Sequence, residues 1–473
     1  MLFGREKEQK ILNQAYESNE SVFGAVYGRR RIGKTYLIRK TFEGKFTFMH
    51  SGYYNGTKKE ELFAFCASLR EYGMTDFPMP SNWLEAFELL KDLIRKSDQK
   101  RKIIFLDELS WMDTKNSDLM MALEGFWNGW ASARNDIVLI VCSSVTSWML
   151  SNVIHNKGGL YNRLAFRINL KPFDLNQCEG FAKVNGIIMS RYQILECYMI
   201  MGGVPYYWSL LEKGKSLPQN IDRIFFEEDA KLESEFQYLY AALFKKPDVY
   251  IRIVTALGKK KSGMTRKELL EATRSSDTGS FTLKLKELES CGFIREYKEF
   301  GKKERNSLYQ LIDNFTLFHF KFLADGPTDR HFWTNQVNQP GINAWRGLAF
   351  ERVCLEHTDQ IKAALGISGV LTAVNSWKCD KDPDKGLHGS QIDLLIVRKD
   401  QVINLCEMKY AARTYAVTEQ TDEEIRNKIE DFYTFTKTKY AVFPTIITPY
   451  GLTENEYAGN IQSVVTAEDL FRF

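Results

Sequence analysis

The sequence predicts an α/β protein whose first third is a parallel sheet with helices on both faces, followed by a helical segment, a winged-helix segment and a second α/β segment. Three observations carry this reading. Short apolar runs alternate with helix-forming runs from residue 22 to residue 170, the pattern of strands covered on both faces. Residues 28–35 read GRRRIGKT between an apolar run and a helix-forming run, the strand–loop–helix setting of a phosphate-binding loop. Residues 102–108 read KIIFLDE, an uninterrupted apolar run that ends in two acids, as a buried strand with a polar end would.

Taken in order, the strands of the first segment are expected at 22–27, 46–50, 103–106, 137–142 and 166–170. After Lys171 and Pro172 the strand pattern stops, and residues 171–245 read as a helical lid broken at Gly202-Gly203-Val204-Pro205. Residues 246–325 predict a winged helix: a helix at 265–273, a second at 280–290, then a hairpin of 293–297 and 307–312 whose tip reads GKKER. Lys284, Lys286, Lys302, Lys303 and Arg305 could meet a DNA backbone, but Glu287, Glu289 and Glu304 dilute the patch, and solvated charges on an interaction module explain it equally well. The aromatic run 315–322 (FTLFHFKF) is expected as a packing helix. Turn-forming clusters at 325–327 and 339–341 open the last segment, 326–473, which has a helix from Asn343, strands at 391–398 and 402–410, a helix at 423–435 and a strand at 440–448.

The chain has 473 residues, enough for about three domains of ~150 residues. A formal charge of +4 neither demands nor excludes a nucleic-acid partner. Eight cysteines without CxxC spacing imply reduced thiols and a cytoplasmic setting, the charged N-terminus is unlike a signal peptide, and no apolar run is long enough for a membrane span. The histidines have no partners at ligand spacing, so zinc is not expected.

The loop predicts binding of ATP with Mg2+. Gly28 and Gly33 let the backbone curl so that amides face phosphate, Ile32 lies between them, Lys34 reaches the outer phosphates, and Thr35 is placed to hold Mg2+ at the start of a helix. Asp107 would hold the metal through water and Glu108 would polarise the attacking water from a rigid strand end. Arg29, Arg30 and Arg31 are read as loop-surface charges that meet a partner subunit, with a homo-oligomer implied.

A second site is expected near the C-terminus. A hairpin centred on Asp400 sets Asp393 opposite Glu407, and Lys409, two residues on, shares that face. Charges on so apolar a strand need pairing or a metal. The mechanism they imply is phosphodiester hydrolysis, with Mg2+ on Asp393, Glu407 and the Met408 carbonyl, Lys409 orienting water, and Glu351 adding a carboxylate from the preceding helix. The bland alternative is a surface ion-pair cluster.

Together, FGREKE at 3–8, GRRRIGKT, IIFLDE, IVCSS followed by GGLYNRLAFRINLKPF, and MGGVP at 201–205 resemble the archaeal-type AAA+ ATPase family that also occurs widely in bacteria. The resemblance implies that Gly4 and Arg5 lie near the nucleotide base, that Ser143 or Ser144 senses the γ-phosphate, and that Arg163 or Arg167 senses phosphate or acts across a subunit boundary. The C-terminal half is similar to the winged helix and restriction-endonuclease-like domain that such ATPases carry. Asp393 and Glu407-Met408-Lys409 match its PD-(D/E)XK pattern and Glu351 its helical acid, although Gln391-Ile392 stands where the proline is expected. The expectation is an ATPase that controls a Mg2+-dependent DNA endonuclease, suited to defence against, or maintenance of, mobile DNA. The rivals are a nucleotide-driven switch or scaffold that binds nucleic acid or protein without cutting, and a motor that translocates on DNA.

Overall fold

The computed structural model describes residues 2–244, 246–301, 307–326, 329–336 and 339–472. It divides into two compact units, Met1–Pro172 with Leu239–Pro247, and Phe173–Tyr238 with Asp248–Phe473.

The first unit is built on five parallel strands, β1 (Val22–Tyr27), β2 (Phe46–Ser51), β3 (Lys102–Asp107), β4 (Ile137–Ser143) and β5 (Phe166–Asn169), in the order β2-β3-β4-β1-β5. All residues of β4 are buried, as a strand covered on both faces must be. Alternate side chains feed two cores. Val22, Val26, Val138 and Ile140 pack with the helices Glu6–Glu17 and Lys34–Thr41, while Phe23, Leu139 and Val141 pack with Lys58–Glu71, Trp83–Lys96 and Leu119–Gly129. Gly24 is obligatory between β1 and β5, because a Cβ there would lie 1.9 Å from the Phe166 ring. The strand order matters for function. β1, β4 and β3 are consecutive neighbours, so their C-terminal ends open on one edge, where a parallel sheet offers its ligand crevice.

The second unit begins with the lid helices Leu175–Val184, Arg191–Met201 and Leu217–Phe225, each started by a capping box (Asp174, Ser190, Ser216). In the expected break, Gly203 passes so close to the Phe173 carbonyl that a Cβ would sit 1.7 Å from its oxygen. The winged-helix pattern takes shape as β6 (Met264–Thr265), the helices Arg266–Thr273 and Gly279–Ser290, β7 (Ile294–Tyr297) and β8 (Leu308–Leu311), in the order β6-β8-β7. The tip charges Lys302, Lys303, Glu304 and Arg305 lie outside the described residues. The aromatic run forms the helix Asn314–Phe322, whose Phe315 and Phe318 pack on Phe225 of the lid and on Trp333 and Trp345.

The last sheet has five strands, β9 (Thr372–Lys378), β10 (Gln391–Arg398), β11 (Val402–Met408), β12 (Ala441–Thr448) and β13 (Ser463–Thr466), in the order β13-β12-β11-β10-β9. β9, β10 and β11 run antiparallel and β11, β12 and β13 parallel. The parallel step from β11 to β12 needs a crossover, supplied by the helix Glu419–Thr436. Its Phe432 enters a core of Trp377, Ile392, Leu395, Ile403 and Leu405. Residues just past β7 reach this sheet: Phe300 donates its N–H to the Ser376 carbonyl at 2.8 Å and packs its ring at a tilt against Phe432. Among the described residues, no helix is long and apolar enough to cross a membrane.

Candidate functional site

Between β1 and the helix Lys34–Thr41 the chain turns through left-handed backbone at Gly28 (φ 139°), Arg31 (φ 68°) and Gly33 (φ 87°), which aims successive amides into a concave nest suited to an anion. A Cβ on Gly28 would lie 2.3 Å from the Leu170 carbonyl oxygen, so the residue is glycine for space as well as for φ. Lys34 is buried, and its Nζ donates to the carbonyls of Gly28 and Arg29, both at 2.9 Å. The ammonium is thus anchored to the loop's own carbonyls.

At the end of β3, the Asp107 carboxylate accepts a hydrogen bond of 2.7 Å from Thr35 Oγ1. Mg2+ takes oxygen donors at about 2.0–2.1 Å in an octahedron, which sets neighbouring donors roughly 2.9 Å apart. The hydroxyl and carboxylate already have that spacing and that hard-oxygen chemistry, so these residues fit the ion. Glu108 follows in left-handed backbone (φ 47°, ψ 45°), a strained conformation for a non-glycine residue. The strain turns its carboxylate toward the end of β4, where the Ser144 N–H (2.9 Å) and hydroxyl (2.8 Å) both donate to Oε2. Burial pushes the Glu108 carboxyl above its usual range, and the Lys34 ammonium and Ser144 donors pull it back only in part. Ser143, by contrast, spends its hydroxyl on Ser110 Oγ at 2.8 Å.

One expectation for this region changes. Arg29 is not a surface charge: it is buried, because the chain tucks inward as it leaves β1, while Arg30 and Arg31 are half-buried. Arg5 is also buried, and its Nη2 donates to the Ile32 carbonyl (3.3 Å) and the Lys171 carbonyl (2.8 Å), tying the phosphate loop to the chain that leaves β5. Gly4 starts this turn with φ 66°. Arg163 and Arg167 are both exposed.

On the C-terminal sheet, β10 and β11 pair from Leu394↔Cys406 to Val397↔Ile403, and Asp393 and Glu407 each lie one residue beyond the first of these pairs, beside an irregularity in the β9–β10 register. The metal centre expected of Glu351, Asp393 and Glu407 finds no support: among the described residues, no group of three or more His, Cys, Asp or Glu side chains is placed to hold a metal ion. Two of the three acids are paired with lysines instead. Glu407 is bracketed by Lys428 Nζ at 2.7 Å and Lys409 Nζ at 3.1 Å. Burial alone would raise its pKa, but the two ammonium groups outweigh that and hold Glu407 below the usual carboxylate range. Burial likewise works against the Lys409 charge, and Glu407 more than offsets it. Glu351 pairs with Lys261 at 2.8 Å, and burial and the nearby Asp393 charge leave its carboxyl raised. Asp393 accepts from Gln391 Nε2 at 2.7 Å.

Lys428 and Lys261, the residues that decide this chemistry, carry no sequence signal beyond being lysines. Lys428 lies on the crossover helix and Lys261 beside the winged helix, so only packing brings them to the acids.

Residues 2–211 match the model of a family described as an ATPase domain predominantly from Archaea, and the first half of the chain carries an archaeal-type P-loop ATPase domain of that kind. The chain is 25% identical over 443 residues to the uncharacterized protein MJECL04 of Methanocaldococcus jannaschii, a match that covers 92% of this chain and 91% of that one. Among solved structures, the Walker-type ATPase PABY2304 of Pyrococcus abyssi aligns with 67% of this chain and 95% of its own at 16% identity and a TM-score of 0.48. The ORC2 protein of Aeropyrum pernix, in ADPNP and ADP complexes, aligns with 76% of this chain and 96% of its own at 12% identity and a TM-score of 0.41.

Proposed function

We propose that this chain is an ATP-hydrolysing, nucleotide-driven switch whose C-terminal half binds nucleic acid or protein without cutting it. One contrast carries the reading. The loop side chains of the first unit are spaced for a nucleotide and its ion, whereas Glu407 is neutralised by two lysines and the three acids make no ligand set.

In this reading the nest of amides at residues 28–34 and the Lys34 ammonium hold the phosphates. Thr35 and Asp107 would hold Mg2+, which when bound supplies charge neutralisation on the phosphate oxygens. Glu108 accepts the proton of the attacking water, with its raised pKa suiting a base at neutral pH and the Ser144 donors fixing its direction. Arg163, exposed on the strand-to-loop segment before β5, is available to a phosphate or a second copy. The second helix of the winged-helix segment, where Lys284 and Lys286 are balanced by Glu287 and Glu289, offers its lysines to a nucleic-acid backbone.

The endonuclease reading remains as the outcome that would overturn this one. Labelled linear duplex DNA, single-stranded DNA and RNA, incubated with Mg2+ or Mn2+ with and without ATP, decide it against Asp393→Ala and Lys409→Ala. ATP hydrolysis with no cutting of any polymer is the expected result. Metal-dependent cutting lost in both variants would refute the switch and establish the nuclease.

A further inference from the structure

Three contacts inside the second unit fasten the lid to the C-terminal segment, one at the strand ends of its sheet and two at the helix Pro340–Glu356 and its end, and the nucleotide chemistry uses none of them. Tyr192, in the first turn of Arg191–Met201, stacks on Tyr410 (centroids 5.7 Å apart, planes 28°) and on Tyr450 (5.5 Å, 23°), and the Tyr192 and Tyr410 hydroxyls hydrogen bond. Tyr410 is the residue after Lys409, and Tyr450 follows the end of β12. One helical turn further, Glu196 receives the buried Arg346 guanidinium from the helix Pro340–Glu356 through Nε (3.1 Å) and Nη2, while Arg346 Nη1 donates to Asn343 Oδ1 at 2.9 Å. At the lid's start, His357 Nε2 accepts the Leu175 N–H at 3.2 Å, and its Nδ1 lies 2.8 Å from the Val353 carbonyl, which assigns the ring proton to Nδ1. These contacts join aromatic, ionic and backbone groups from three different elements, so the two parts cannot shift past each other without breaking all three kinds at once.

We infer that the lid helices and the C-terminal sheet move as one body, and that the Tyr192–Tyr410 stack delivers a nucleotide-driven lid movement to the strand end that carries Glu407 and Lys409. The inference rests on the switch reading above and adds the route to its output. Its input is visible in the first unit. Arg5 grips the Ile32 carbonyl in the phosphate loop and the Lys171 carbonyl two residues before the lid segment begins, so a loop that closes on phosphate pulls on that connector. Its output is local. Lys409 is held through its N–H to the Ile447 carbonyl (2.9 Å) and its ammonium to Glu407 (3.1 Å). A displacement of the Tyr410 ring therefore reaches, one residue away, the lysine that neutralises Glu407. An aromatic stack suits this use, since each ring has only two rotatable side-chain bonds and transmits displacement with little slack.

Hydrogen–deuterium exchange on the full chain tests the inference, with no nucleotide, with ADP and with a non-hydrolysable ATP analogue, nucleotide binding being measured in parallel by calorimetry. In the wild type, peptides covering residues 191–201, 402–411 and 446–451 should change protection together when the ATP analogue binds. Tyr192→Ala should keep the response of 191–201 and lose that of the two strand peptides, and Tyr192→Phe, which keeps the stack, should restore it. Tyr450→Ala, at a ring already half exposed, is the second variant should Tyr192→Ala unfold, and should likewise weaken the strand response. Strand peptides that respond equally in wild type and Tyr192→Ala would overturn the inference, as would a wild type that binds nucleotide while 402–411 stays unchanged. A wild type that binds no nucleotide would overturn the switch reading itself and this route with it.

Discussion

Glu61 is fully buried in the first turn of the helix Lys58–Glu71, with no cation paired to it among the described residues, and its replacement by glutamine should remove a measurable pH dependence of stability. Its Oε1 accepts the Tyr53 N–H at 2.8 Å and its Oε2 is buried without a hydrogen-bond partner. Burial pushes its carboxyl up to about 7 from an ordinary 4.5, against the pull of the Tyr53 N–H and with a small push from Glu60. Below the ordinary value both folded and unfolded chains hold the proton, so the group contributes nothing. Between 4.5 and about 7 the unfolded chain releases a proton that the folded chain keeps, so stability falls as pH rises. Above that window the loss is complete, at about 3 kcal/mol given ~1.4 kcal/mol per pKa unit. The location gives the effect functional weight. Glu61 pins the loop 52–57, whose Gly52 donates its N–H to the Asp107 carbonyl at 3.0 Å, next to the strained Glu108. Urea unfolding followed by tryptophan fluorescence at pH 5 and pH 8, for wild type and Glu61→Gln, isolates the term, because every other titrating group cancels in the difference between the two proteins. The wild type should lose about 2.5 kcal/mol more than the variant on going from pH 5 to pH 8, since part of the loss has already occurred at pH 5. Identical pH dependences in the two proteins would refute the reasoning.

The other predictions concern the sites directly. Lys34→Ala should weaken ATP binding by roughly 10- to 150-fold, the equivalent of about 1.5–3 kcal/mol for a hydrogen bond to a charged group, as read by calorimetry. Ser144→Ala removes a donor that lowers the Glu108 pKa, so the acid limb of the kcat–pH profile for ATP hydrolysis should move to higher pH; an unmoved limb would take Glu108 out of the base role. Arg346→Met should cost about 3–5 kcal/mol by leaving the Glu196 charge buried and unpaired, and adding Glu196→Leu should recover most of it, measured by thermal and urea unfolding. Lys428→Met should raise the Glu407 pKa and destabilise the fold by about 1–3 kcal/mol at pH 8, with the loss shrinking as pH falls and Glu407 protonates.

Much of this protein is written locally in its sequence. The phosphate loop was legible because its function needs glycines where the backbone turns left-handed and a lysine and hydroxyl at the first helical turn, all within eight neighbouring positions. The strands were legible because burial on both faces demands unbroken apolar runs, and the register of the β10–β11 hairpin because a short turn at 399–401 leaves one way to pair its strands. The strand ends drifted by a residue, as at Ser51 and Asp107, where pairing continues into polar residues that pattern alone would place in loops.

What the acids do was decided only by the tertiary structure. A strand pattern fixes which face Glu407 occupies, but the cation that meets it comes from Lys428, 21 residues away on a helix whose rotation about its axis is set by Phe432 and its core neighbours. Lys261 reaches Glu351 across 90 residues and Tyr192 reaches Tyr410 across 218. Local sequence encodes the type of element and the face it buries, because those follow from backbone geometry and water. Which charge ends up against which depends on the packing of whole elements. Here that packing gives Glu407 two lysines, Glu351 one lysine and Asp393 an amide, partners that a linear reading does not supply.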